Sequence, residues 1–137
     1  MGLWSSLVVL RIVLGQPGRL AEWKSIVTGV ASGLVEVECL RTLDRLRVAG
    51  KLSSDDVAVR RETVFRVLEG LELVELTRAV LRRAAQPVPS PLGTLDAIHL
   101  ATAEMWREAK QKELLVATHD QALALAARAS GFRVAGV

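Results

Sequence analysis

Short apolar segments alternate with helix-forming segments along this chain, and this alternation constrains the fold more than any other feature. Residues 71–76 and 114–117 are short and rich in aliphatic side chains, as buried strands are. Thr77, which follows the first of them, can cap a helix. Strands that alternate with helices in this way predict a parallel sheet with helices on both faces.

The remaining elements follow from caps, glycines and prolines. We interpret all 137 residues as one domain, because no linker or repeat interrupts them. Strands are predicted at residues 2–4, 71–76, 114–117 and 132–137, and residues 26–31 lead into a long helix. Helices are predicted at 7–14, 19–25, 33–49 (capped by Ser32, stopped by Gly50), from Ser53 or Ser54 to 69–70, 77–85, 95–109 (capped by Thr94) and 121–130 (closed by Gly131).

Composition excludes several classes of protein. The single cysteine cannot form an internal disulfide, and together with two histidines it is too little for a zinc site of the usual Cys/His type. No stretch approaches the ~20 apolar residues of a membrane-spanning helix, so we expect no membrane partner and an intracellular location. The net charge of +3 is compatible with a nucleic-acid partner without establishing one.

Acidic residues near strand ends are the candidates for chemistry, because ligands of parallel sheets bind outside the carboxyl ends of the strands. Asp96 lies in the first turn of a predicted helix, and Asp120 comes directly after the apolar run 114–117. Glu36 and Glu38 lie two apart on one helix and face different sides, so only one of them can reach a crevice.

Four segments together resemble the PIN domain, and specifically the small VapC-like toxin ribonucleases. They are residues 3–6 (LWSS), 31–38 (ASGLVEVE), 94–103 (TLDAIHLATA) and 117–120 (ATHD). The resemblance covers the whole chain. It implies a single α/β PIN-like domain, residues 1–137, with a parallel five-stranded sheet flanked by helices.

The same resemblance implies a metal-dependent endoribonuclease in the cytoplasm. Three acidic residues match the family's ligands for Mg²⁺ or Mn²⁺: Glu38, Asp96 and Asp120. Ser6 and Thr118 match hydroxyl positions that help to orient metal-bound water or phosphate. RNA would be the substrate, an antitoxin would cover the active site, and the toxin would form a homodimer.

One position departs from the family pattern. Trp4 stands where the family places its first metal-binding aspartate, and an indole cannot bind Mg²⁺. Loss of a group that merely supports a ligand commonly costs ~10–100-fold in metal affinity or activity, and loss of a ligand should cost at least as much. Two alternatives follow: a catalytically silent PIN-like domain that binds RNA or a protein, and an α/β interaction protein whose carboxylates cap helices.

Other residues near these acids keep two interpretations each. His99 follows Asp96 by one turn, so it is either a supporting partner of the acids or a core histidine. His119 could position substrate or be a simple loop residue. Arg41 and Arg45 share a helix face, which is either a phosphate-binding stripe or a solvated surface. Cys39 is expected to be buried in packing.

Overall fold

Parallel strands and the helices between them make up the described part of the chain. The structure is a computed structural model that describes residues 2–4 and 29–137. We number its described elements in chain order: β1 (Gly2–Trp4), β2 (Gly29–Ser32), α1 (Leu34–Val48), α2 (Ser54–Glu69), β3 (Leu71–Val74), α3 (Arg78–Ala84), α4 (Thr94–Lys110), β4 (Leu115–Ala117), α5 (Gln121–Ala129) and β5 (Arg133–Ala135). The predicted helices 7–14 and 19–25 lie outside the described residues.

All strand pairings are parallel, and each strand is only three or four residues long. Hydrogen bonds join β1 to β2 and β4, β2 to β3, and β4 to β5, which gives the order β3-β2-β1-β4-β5. From β1 the chain moves outward to β2 and β3, then crosses to β4 and β5. Neighbouring strands β1 and β4 therefore send their connections in opposite directions, and this is where parallel sheets form a ligand crevice.

Helices cover both faces of the sheet, as the alternation of strands and helices predicts. Ala31 and Ala117 pack in one buried cluster with side chains of α1 and α2. Their neighbours Val30 and Val116 pack in another cluster with side chains of α4 and α5. Because successive residues of a strand point to opposite faces, these two clusters lie on opposite sides of the sheet. The α/β class is therefore confirmed.

Several element ends differ from the prediction by a few residues. The predicted strand 71–76 ends at Val74, and the predicted strand 132–137 is reduced to Arg133–Ala135. Gly33 is the N-cap of α1 instead of Ser32, because Ser32 is the last residue of β2 and Gly33 already has helical dihedral angles. The Ser32 hydroxyl still accepts a hydrogen bond from the Leu34 N–H at 3.0 Å.

Two predicted caps have the expected hydrogen bonds. The Ser53 side chain accepts from the Asp56 N–H at the start of α2, and the Thr77 side chain accepts from the Val80 N–H at the start of α3. At α4, however, Gly93 is the N-cap and Thr94 is already helical. No helix in the described ranges is both long enough and apolar enough to cross a membrane.

Candidate active site

Glu38 lies at the edge of the buried face of α1. Val35, Cys39 and Leu43 form the buried stripe of this helix, at the i, i+4, i+8 spacing of a helix side. Glu38 is one residue off that stripe, and its side chain remains 19% exposed. The helix therefore holds the carboxylate at a boundary between core and solvent, where an acid can be partly desolvated and still be reached.

A histidine of another helix contacts this carboxylate. The Nε2 atom of His99, on α4, lies 2.7 Å from Oε1 of Glu38 across 61 residues of sequence. His99 is 1% exposed. An ionised carboxylate only accepts hydrogen bonds, so the Nε2–H of His99 donates to Glu38. Of the two interpretations of His99, the structure supports both together: it is a buried histidine and a partner of a candidate acid.

Asp96 lies in the first turn of α4, one turn before His99, and is partly buried. Burial raises the pKa of the Asp96 carboxyl above its ordinary value, and the negative charges of Asp120 and Glu38 raise it further, while His99 opposes them. Asp96 therefore lies within electrostatic range of both other predicted acids. Three elements that are distant in sequence, α1, α4 and the β4–α5 connection, bring these carboxylates into one neighbourhood.

Asp120 follows β4 and caps α5. Its Oδ1 accepts a hydrogen bond from the Leu123 N–H at 2.8 Å. The alternative that this acid caps a helix is therefore correct for one of its two carboxylate oxygens. The buried hydroxyl of Thr118 accepts from the Asp120 N–H at 3.0 Å and fixes the backbone before the cap. Thr118 thus acts on the backbone of a candidate acid; its predicted role toward water or phosphate stays a prediction.

His119 points to the C-terminal segment. Its Nδ1 lies 2.9 Å from the carbonyl oxygen of Gly136, so this ring nitrogen donates to the backbone after β5. The contact ties the β4–α5 connection to the end of the chain. This gives His119 a structural partner.

The basic stripe proposed on α1 is partly neutralised. Arg41 and Arg47 both pair with the Asp44 carboxylate, at 3.0 and 2.9 Å, and Arg45 donates to the Thr42 hydroxyl. Arg47 and Arg41 hold the pKa of the Asp44 carboxyl below its ordinary value. The cluster is exposed, which matches the interpretation of a solvated face.

Of the two positions singled out at the start of the chain, Trp4 lies within the described residues and Ser6 does not. Trp4 is the last residue of β1 and pairs with Ala117 of β4, which places its backbone at the point where the sheet connections diverge. Ser6 lies outside the described residues. Trp4, which the sequence resemblance aligns with the family's first aspartate, thus stands at the carboxyl end of β1.

A family model describes nearly the whole chain. The model of the PIN domain matches residues 7–129. The chain belongs to the PIN domain family. This confirms the resemblance to the PIN domain, and the match covers three of the four sequence segments, since it begins after residues 3–6.

Solved structures give the same fold. The PIN domain superimposes with a TM-score of 0.71 on FitAcB from Neisseria gonorrhoeae, at 20% identity over 98% of this chain and 96% of that one. It superimposes with a TM-score of 0.65 on a toxin-antitoxin complex from Klebsiella pneumoniae, at 15% identity over 90% of this chain and 91% of that one. At these identities the likeness shows the fold.

A longer protein contains a similar sequence. Over 126 residues the PIN domain is 32% identical to the aliphatic sulfonates import ATP-binding protein SsuB of Albidiferax ferrireducens (strain ATCC BAA-621 / DSM 15236 / T118). The match covers 85% of this chain and 43% of that protein. The chain therefore spans less than half the length of this relative.

The acids of this PIN domain fit a divalent cation in chemistry. Carboxylate oxygens are the ligands that Mg²⁺ prefers, and a cation among Glu38, Asp96 and Asp120 would relieve the repulsion that Asp96 experiences. As placed in residues 29–137, however, no three His, Cys, Asp or Glu side chains form a group that could hold an ion. The three acids therefore suit a cation in ligand type, and their negative charges lie close enough to interact. Their carboxylates, as placed, do not form a closed coordination shell.

Proposed function

We propose that this PIN domain is a Mg²⁺- or Mn²⁺-dependent endoribonuclease whose acidic centre is weakened by Trp4. The feature that supports the proposal most is the raised pKa of Asp96, to which burial contributes most and to which the charges of Asp120 and Glu38, from two other elements, also contribute. Carboxylates that repel one another are unfavourable unless a cation shares them. Asp120 also directly follows β4, and parallel sheets bind ligands at the carboxyl ends of their strands.

In this proposal Glu38, Asp96 and Asp120 hold the cation. A bound divalent cation would polarise a phosphodiester and make water a nucleophile near neutral pH. Asp120 would use the oxygen that does not cap α5, and the Thr118 hydroxyl keeps the backbone at Asp120 in place. Asp96 lies in the first turn of a long helix with a buried face, so the core fixes its position.

The partners belong to the same proposal. We expect RNA as substrate, an antitoxin protein that covers the active site, a homodimer, a cytoplasmic location and a single domain over residues 1–137. The likeness in fold to a toxin-antitoxin complex supports the antitoxin. Exposed aliphatic side chains on α3 and α4 offer apolar surface for protein partners: Leu81 (45% exposed) and Leu95 (48%).

The second candidate is a silent PIN domain that binds RNA or a protein without cleaving it. Trp4 favours it, because this residue type cannot replace an aspartate as a metal ligand. The hydrogen bond of Asp120 to the Leu123 N–H also shows that part of the acidic set has a structural use. Both candidates share the fold and the partner, and they differ in cation binding and cleavage.

Cleavage of RNA in the presence of Mn²⁺ tests the proposal. We expect weak cleavage by the parent protein, an increase of ~10–100-fold in W4D, and a loss of similar size in D96N. E108Q is the matched control, since Glu108 is an exposed acid on the same helix, paired with Arg83 at 2.8 Å and remote from the site. Cleavage that survives a chelator, or that D96N and E108Q affect equally, would contradict a metal-dependent centre.

Binding of Mn²⁺ distinguishes the two candidates. Calorimetry on the parent protein should give an affinity in the millimolar range or tighter if the cation site exists. W4D should bind Mn²⁺ more tightly than the parent, because it adds a carboxylate at the end of β1. If neither protein binds Mn²⁺ and neither cleaves RNA, the silent PIN domain is the better description.

A further inference from the structure

A part-buried hydrogen bond joins α4 to the candidate acid on α1. His99 is 1% exposed, and its Nε2 lies 2.7 Å from Oε1 of Glu38. Most of its neighbours on α4 are buried apolar residues: Ile98, Leu100, Ala101 and Ala103. A polar ring in such surroundings is unfavourable unless it forms hydrogen bonds, so the contact with Glu38 explains why a histidine can stand here.

The other nitrogen of the ring offers no competing explanation. Within the described part of the chain, Nδ1 of His99 is buried and has no hydrogen-bond partner. An unpaired N–H in the interior is costly, whereas an unprotonated ring nitrogen leaves only an acceptor unpaired. The geometry therefore favours the tautomer that carries its proton on Nε2, where it faces the Glu38 carboxylate.

The same helix supplies both the donor and a second acid. Asp96 and His99 are three residues apart on α4, which places them on neighbouring turns of one face. One rigid element thus sets the position of Asp96 and the orientation of Glu38 together. Because Trp4 stands in place of an acid, three predicted ligands remain. Cation binding therefore depends more strongly on the orientation of each remaining carboxylate.

We propose that His99 is a positioning residue that fixes the Glu38 carboxylate through Oε1 and presents its second oxygen to the cation. The inference rests on the proposed function, since it assigns His99 a role toward that cation. Carboxylates that bind metals are commonly held by a hydrogen bond of this kind, and removal of the supporting group costs ~10–100-fold in metal affinity.

Calorimetric titration with Mn²⁺ tests this role without measuring activity. In both the parent and the W4D background, H99L should weaken Mn²⁺ binding by ~10–100-fold, because Leu fills the space but cannot donate. H99Q should lose less, because its amide nitrogen reaches about as far as Nε2 and can donate to Oε1. H99N, whose amide is shorter, should behave like H99L and replaces it as the test if H99L does not fold.

T102V is the control for general disturbance of α4. Thr102 is fully buried on the same helix, and its hydroxyl donates to the Ile98 carbonyl of its own helix. T102V should therefore leave Mn²⁺ affinity unchanged. In an E38Q background, H99L should cause no additional loss, because the residue it positions is already altered.

The outcomes separate this inference from the proposal beneath it. If H99L and H99N bind Mn²⁺ as tightly as their parents, or more tightly, His99 does not position a ligand and the inference is wrong. In that case the cation site itself stands. If neither the parent nor W4D binds Mn²⁺, the metal proposal fails first, and the positioning role fails with it.

Discussion

Glu38 lies at the boundary between the core and the candidate site. Its backbone lies next to the buried Cys39, and its carboxylate meets His99 from a different helix. The sequence could predict Glu38 and Cys39 individually, because helix periodicity separates the buried face from its edge. It could not predict their partner across 61 residues, since local spacing says nothing about which helices meet. The one available signal was the position of His99, one turn after Asp96.

Cys39 allows a direct test of packing at this residue. The thiol is fully buried, and burial, with a smaller contribution from Glu38, raises its pKa to about 12. Because the thiolate is the reactive form, we expect the native protein to react with Ellman's reagent at pH 8 at least about a thousandfold more slowly than the unfolded chain. Immediate reaction of the native protein would show that α1 does not pack as described.

At the helix starts, sequence and structure agree for Ser53 and Thr77 and differ for Ser32 and Thr94. Caps at Ser53 and Thr77 were predictable because a side-chain oxygen three residues before an orphan N–H is a local arrangement. Strand ends were less predictable: β3 stops at Val74 although Leu76 continues the apolar pattern. Strand length depends on where the neighbouring strand stops, and β2 ends at Ser32, which pairs with Val74.

Asp120 separates the capping role from the metal role at the level of an element. D120N retains an oxygen that can accept from the Leu123 N–H, so we expect its free energy of unfolding to change by only a few tenths of a kcal/mol. D120A removes the cap and should lose about 1 kcal/mol. Urea unfolding measures both values.

The same pair of variants tests the chemistry. D120N should lose Mn²⁺ affinity even though it retains the cap, because an amide brings no negative charge to the cation. Equal Mn²⁺ affinity in D120N and the parent would show that Asp120 serves α5 alone. A D120N variant as unstable as D120A would instead show that the helix depends on the charge.

At the scale of the whole molecule, the sheet order brings the site together. The end of β1 pairs with the end of β4, and β2 on the other side leads into the helix that carries Glu38. The alternation of strands and helices predicted helices on both faces. The order β3-β2-β1-β4-β5 depends on long-range pairing, which local patterns do not encode. The resemblance to the PIN domain implied a parallel five-stranded sheet and a shared site for the acids, but it gave no strand order.

The central claim is that Glu38, Asp96 and Asp120 share one divalent cation at the carboxyl ends of the parallel strands. Anomalous diffraction from crystals of the parent protein soaked in Mn²⁺ tests it most directly. The account predicts a manganese peak within bonding distance of oxygens from all three carboxylates, with His99 still in contact with Glu38. A soaked crystal with manganese bound only elsewhere, and none among these three acids, would contradict the account.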